Sequence, residues 1–184
     1  MKQRILLGLA CIALIGAGLS IPRLSEASPK AAPTPVPMGH PDFSSMRFML
    51  GTWTCHERLR GKDRPDTSTT TIGMDGEYMV THDNAPVFDR FRNRAVNTDS
   101  FMTYNSMSRQ WVTVSVDNFG GYSIVRSPGW RGDTMVSTTT ITQDGSSVTG
   151  KTIKMSDSET RNILVTKSPN GTVTTDSATC HKSS

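Results

Sequence analysis

The sequence predicts an all-β protein, a single antiparallel up-and-down (meander) β-barrel of eight to ten strands behind a signal peptide and a Pro-rich tether. Three observations predict it. Thr, Ser and Val dominate from Asp42 onward, and no window there holds a sustained helical period. Gly-containing turns recur every ten residues or so, the spacing of short strands in a meander. The only two cysteines beyond the leader, Cys55 and Cys180, fall on the first and the last expected strand. A closed cylinder would bring those strands together and would leave no exposed sheet edge.

The leader comes first. Met1 to Arg4 carries two positive charges, Ile5 to Leu19 is almost wholly apolar, and Ser25-Glu26-Ala27 offers small residues at the positions a signal peptidase reads. The apolar run falls short of the roughly 20 residues a membrane span needs, so residues 1–27 are expected to be removed, with no stable membrane insertion afterwards. Gly8-Leu9-Ala10-Cys11 also carries the small-residue-then-cysteine pattern of a lipoprotein, with only Ile5 to Ala10 as its apolar segment. Cleavage after residue 27 of 184 leaves 157. It removes Lys2, Arg4, Arg23 and Glu26, so the formal charge falls from +4 to +2, and nucleic acid is not an expected partner.

Residues 28–41 hold five of the ten prolines (Pro29, Pro33, Pro35, Pro37, Pro41) and read as a semi-extended linker. Residues 42–184 suit one domain with one core. Phe48-Met49-Leu50 gives a short helical or 3₁₀ lead-in, Gly51 a bend, and Thr52 to Leu59 a first strand ending at Arg60-Gly61-Lys62. Thr67 to Met74 and Glu77 to His82 flank Asp75-Gly76, a strong hairpin signal. Val87 to Asn97 is ambiguous, and Asp99 to Tyr104 is a strand. Gln110 to Asp117 alternates with Val112, Val114 and Val116 on one face, and Asn118-Phe119-Gly120-Gly121 turns it into Tyr122 to Ser127. Strands follow at Asp133 to Thr142, Ser147 to Met155, Glu159 to Lys167 and Thr172 to His181, with turns at Pro128 to Gly132, Asp144-Gly145 and Pro169-Asn170-Gly171.

Gly51-Thr52-Trp53 resembles the Gly-x-Trp signature that opens lipocalin-like (calycin) barrels. Phe101 to Asn105, Trp111 to Asp117 and Gly132 to Met135 are similar to blocks of a family of secreted bacterial barrels of that kind. The resemblance covers about Phe48 to Lys182 and implies that Trp53 plugs one end of the cylinder. Lipocalins also carry a Thr-Asp-Tyr turn, which this chain lacks, and a late Arg over the Trp.

In an oxidising compartment an even pair of cysteines reads as a disulfide, here Cys55 to Cys180, which calls for Cα atoms within about 7 Å. The expected localisation is secreted, to the bacterial periplasm. The expected function is binding of a small apolar molecule without chemistry. Trp53, Met79, Met102, Tyr104, Val112, Val114, Tyr122, Trp130 and Met135 are the candidate lining, with Val116, Ile124, Ile153 and Ile163 beside them. Asn118 to Gly121 and Pro128 to Gly132 would rim the mouth, with Trp130 at it. No cofactor is expected, because alternation turns His56 and His181 away from the Trp53 and Cys55 face. The chain carries no nucleophile elbow and no metal-binding His pair at helical spacing. Two rival readings remain: an envelope-associated interaction protein with a solid core, and a hydrolase-type enzyme in which His82, Asp83 and Asp117 converge. Arg90, Arg92 and Arg94 alternate as an anion-binding strand face would, or as a charged outer surface.

Overall fold

The computed structural model describes residues 40–59, 62–87 and 94–183. The expected signal peptide, Cys11, nearly all of the expected linker, Arg90 and Arg92 lie outside the described residues. A 3₁₀ turn, Ser44–Met49, leads into β1 (Gly51–Leu59), β2 (Lys62–Gly73), β3 (Tyr78–Ala85), β4 (Val96–Asn105), β5 (Gln110–Asp117) and β6 (Tyr122–Ser127). A two-residue β7 (Trp130–Arg131) precedes β8 (Thr134–Thr142), β9 (Ser147–Lys154), β10 (Glu159–Lys167) and β11 (Val173–Lys182). Each long strand pairs antiparallel with its sequence neighbours, β1 pairs with β11, and β6 pairs with β8. Ten strands therefore close on themselves into an up-and-down barrel, as the turn spacing predicts.

The seam between β1 and β11 places Cys55 directly opposite Cys180, with Cα atoms 3.9 Å apart and the two sulfurs bonded. One end of the barrel is plugged. Phe43, just before the 3₁₀ turn, and Met46 within it bury themselves against Met79 of β3 and Met102 of β4, and Trp111, Trp130 and Met135 pack around them. Trp53 forms the next layer, 5 % exposed, and its indole N–H donates to the Met49 carbonyl at 2.9 Å. Lys182 takes the place the resemblance gave to a late Arg. Its ammonium lies 5.7 Å from the Trp53 ring centre and donates to the Phe48 carbonyl at 3.1 Å. Gly51, at φ 106°, bends the chain here; a Cβ on it would lie 3.2 Å from the Lys182 side chain.

Three expectations change. β2 begins at Lys62 rather than Thr67, because Arg64 and Asp66 extend the ladder opposite Glu57 and Cys55. Pro65 is tolerated there because the ladder from β2 to β3 starts only at Thr67. The segment from Pro128 to Gly132 sits at the plugged end and not at the mouth: Trp130 stacks edge-on against Phe48, ring centres 5.3 Å apart. Finally, the valine face of β5 points outward. Thr113, Ser115 and Asp117 share the face of the inward Trp111, while Val114 and Val116 are 38 % and 45 % exposed. Val80, Phe101, Val114, Ile124 and Ile141 stand opposite one another on successive strands, so the outer wall carries an apolar row.

Candidate functional site

Beyond the Trp53 layer the inward residues turn polar. Along β1 the face that carries Trp53 and Cys55 continues with Glu57, and β2 answers with Ser68, Asp66 and Arg64 at the paired positions. Asp83 on β3 stands opposite Ser68, and Thr98 on β4 opposite Asp83. These residues, with Thr70, Thr81, Ala85, Val96, Thr152, Thr160, Asn162 and Ala178, line a cavity of about 400 Å³ floored by Met49, Trp53 and the disulfide. That volume falls in the ordinary range of small-molecule sites, and the mix of apolar floor and convergent polar groups is their usual chemistry.

The hydroxyls hold one another across the strands, as in the contact between the Thr70 and Thr81 oxygens at 3.0 Å. Arg64 donates to Glu57 in an ion pair against the cavity wall. Asp66 is 8 % exposed, and its Oδ1 has no hydrogen-bond partner among the described residues. Burial raises the Asp66 carboxyl above its ordinary range and the Glu57 charge adds to the rise, against the pull of Arg64. Asp83 is pushed further, to about 7. Burial is the main cause, followed by the neighbouring Asp66 and Glu57 charges. Three carboxylates thus face one guanidinium inside a closed wall.

The sequence-derived lining is dispersed by this arrangement. Of its nine residues, Trp53 floors the cavity. Met79, Met102, Trp130 and Met135 are committed to the plug. Tyr104 packs on Trp111 at the plugged rim, with ring centres 5.3 Å apart. Val112 and Val114 face outward, paired with Arg126 and Ile124. Tyr122, 50 % exposed, borders a second hollow of about 310 Å³ at the open end, beside Thr98, Ser115, Asp117, Ser123 and Thr142. The four residues set beside them, Val116, Ile124, Ile153 and Ile163, share the outward register, and of these only Ile163 borders the cavity. Sequence reasoning missed Glu57, Arg64 and Asp66, because Arg60 to Asp66 reads as a charged turn. The signal present was alternation: Arg64, Asp66, Ser68 and Thr70 recur at every second position, in step with Trp53, Cys55 and Glu57.

The other candidates lie apart. His82 faces outward with its Nδ1 2.6 Å from Asp99, whereas Asp83 faces inward. Asp117 accepts the backbone N–H groups of Phe119 and Gly121 at 2.8 and 2.9 Å, which commits its carboxylate to the turn at the mouth. His82, Asp83 and Asp117 therefore do not converge. His56 and His181 are exposed on the outer face, as alternation predicts. Arg94 donates to the Asn118 carbonyl and stacks over Phe119, 4.8 Å from the ring centre. Among the described residues, no three His, Cys, Asp or Glu side chains are placed to hold a metal ion. No described helix is long and apolar enough to cross a membrane.

Fold and cavity together define a class, a closed antiparallel barrel of lipocalin-like form with a chamber behind a tryptophan plug. No protein family matches the chain, and no curated protein matches it either.

Proposed function

We propose that the protein is a secreted, periplasmic carrier that holds a small molecule inside its barrel without transforming it. The observation that carries this reading is the cavity of about 400 Å³ behind the Trp53 plug. The interior expected of a solid-core interaction protein would be packed at normal density along its whole length. A disulfide between the first and last strands suits an oxidising compartment outside the cytoplasm, in keeping with the leader. The ligand expected from sequence to be apolar is amended: the Trp53, Met49 and Ala178 surfaces suit an apolar body, and the carboxylates and hydroxyls around them suit a polar head.

Native mass spectrometry of protein purified from the periplasm tests this reading. A small molecule retained in the native spectrum and lost on denaturation supports it. Consistent absence from protein prepared under gentle conditions, together with a failure to take up any small molecule in solution, counts against it.

A further inference from the structure

The chamber's polar groups have a sign. Glu57 is met by Arg64. Asp66 and Asp83 remain on neighbouring strands, on the inner face, and the described residues that line the cavity supply one further cation, Lys151. Lys151 belongs to the outer register of β9: it stands opposite Val136 and Ile163, between the inward Gly150 and Thr152, and its side chain is exposed. Asp66 is buried to more than nine-tenths, with one carboxylate oxygen unpartnered. Leaving such an oxygen dry costs stability unless a donor reaches it, and the cavity is the space from which a donor would come.

We infer that the chamber takes a small organic cation, a protonated aliphatic amine whose ammonium group is held by Asp66 and Asp83 and whose carbon chain lies over Trp53. The inference rests on the carrier reading and adds the chemical class of the ligand. An ammonium brings three N–H donors, enough for the free oxygen of Asp66, a carboxylate oxygen of Asp83 and one hydroxyl of the ring formed by Ser68, Thr70, Thr81 and Thr98. A metal ion suits the site less well, since two carboxylates among hydroxyls fall short of a protein cage for Ca²⁺. An anion would meet two like charges in a wall of low dielectric. At the open end Asp117 and Asp144 border the second hollow while Arg94 lies on the adjoining Asn118–Phe119 turn, so the sign of the site is set by the chamber wall alone.

The test compares n-hexylamine, n-hexanol and n-hexanoate, which share one carbon chain and differ in charge, by calorimetric titration at pH 8 and low salt. The expected result is that the amine binds at least tenfold more tightly than the alcohol and that the carboxylate binds most weakly. Asp66→Asn should reduce amine affinity about tenfold or more and alcohol affinity at least threefold less than that, and Asp83→Asn should act in the same direction. Circular dichroism confirms that each variant is folded, and either variant suffices if the other is not. An alcohol that binds as tightly as the amine, or an amine indifferent to both substitutions, overturns the cation inference and leaves the carrier intact. Calcium chloride that displaces the amine at lower concentration overturns it in favour of a metal site. If none of the three compounds binds, the inference and the carrier reading fall together.

Discussion

Replacing Asp83 by Asn should stabilise the protein at alkaline pH and do little at acidic pH. Asp83 has its folded-state pKa raised from 3.8 to about 7, chiefly by burial and then by the Asp66 and Glu57 charges. The folded protein therefore holds this proton more tightly than the unfolded chain. Between those two values the folded state binds more protons, so stability falls as the pH rises, and above about 7 the full penalty is present. At about 1.4 kcal/mol per pH unit, a rise of that size sets a ceiling of about 4 kcal/mol. Asp83 is half-buried on the inner face of β3, so part of its charge is solvated, and about 2 kcal/mol is the expected effect. Asn keeps the shape and cannot ionise. Urea denaturation of wild type and Asp83→Asn at pH 5 and pH 8.5 measures the difference. More than a third of the rise from 3.8 to about 7 lies below pH 5, so the variant should gain about 1.3 kcal/mol relative to wild type on going from the lower to the higher pH, or roughly 4 °C in thermal midpoint for a domain of this size. A gain below about 0.5 kcal/mol would show that Asp83 is solvated and that the chamber is not the low-dielectric space described above.

Arg64→Met leaves Glu57 and Asp66 without the guanidinium that offsets them; it should cost about 2–3 kcal/mol at pH 8 and less at pH 5, measured by the same denaturation series. Reducing the Cys55–Cys180 bridge, which spans 125 residues of sequence, should lower stability by about 4–5 kcal/mol on the chain-entropy account, read as a drop in thermal midpoint with dithiothreitol. Intact mass must rise by two hydrogens in the same experiment, and an unchanged mass would refute the bridge. Lys182→Met removes both the donor to Phe48 and the charge over Trp53; it should cost about 1–2 kcal/mol and alter Trp fluorescence, and Lys182→Arg should restore most of the loss.

The wall of the barrel was legible because turn chemistry and two-residue alternation are local. Asp75-Gly76, Asn118 to Gly121, Asp144-Gly145 and Pro169 to Gly171 each end a strand where the structure ends one. Alternation reports a period, however, and not which of the two faces is inside. The Val112, Val114 and Val116 face was assigned inward on the rule that apolar residues are buried, and the opposite face proved to be the inner one. A chamber lined with Ser, Thr and Asp reverses the sign of that rule over half of the barrel's length. The plug obeys it, and Trp53 is buried there. Arg64 and Asp66 were hidden for a related reason: charge beside Pro65 signals a turn locally, and only the ladder to β1, set by the fold as a whole, draws those residues into a strand.

Both described ends of the polypeptide are found on the plugged side. The Ser44–Met49 turn leads into β1 there, and the Ser183 N–H closes on the Thr52 carbonyl at 2.8 Å as β11 finishes. A dye or surface linkage attached at Ser183 would therefore hang behind the tryptophan and leave the open end unobstructed. Immobilised protein should accordingly admit solutes as freely as protein in solution, which makes surface-based binding assays of this barrel straightforward to orient.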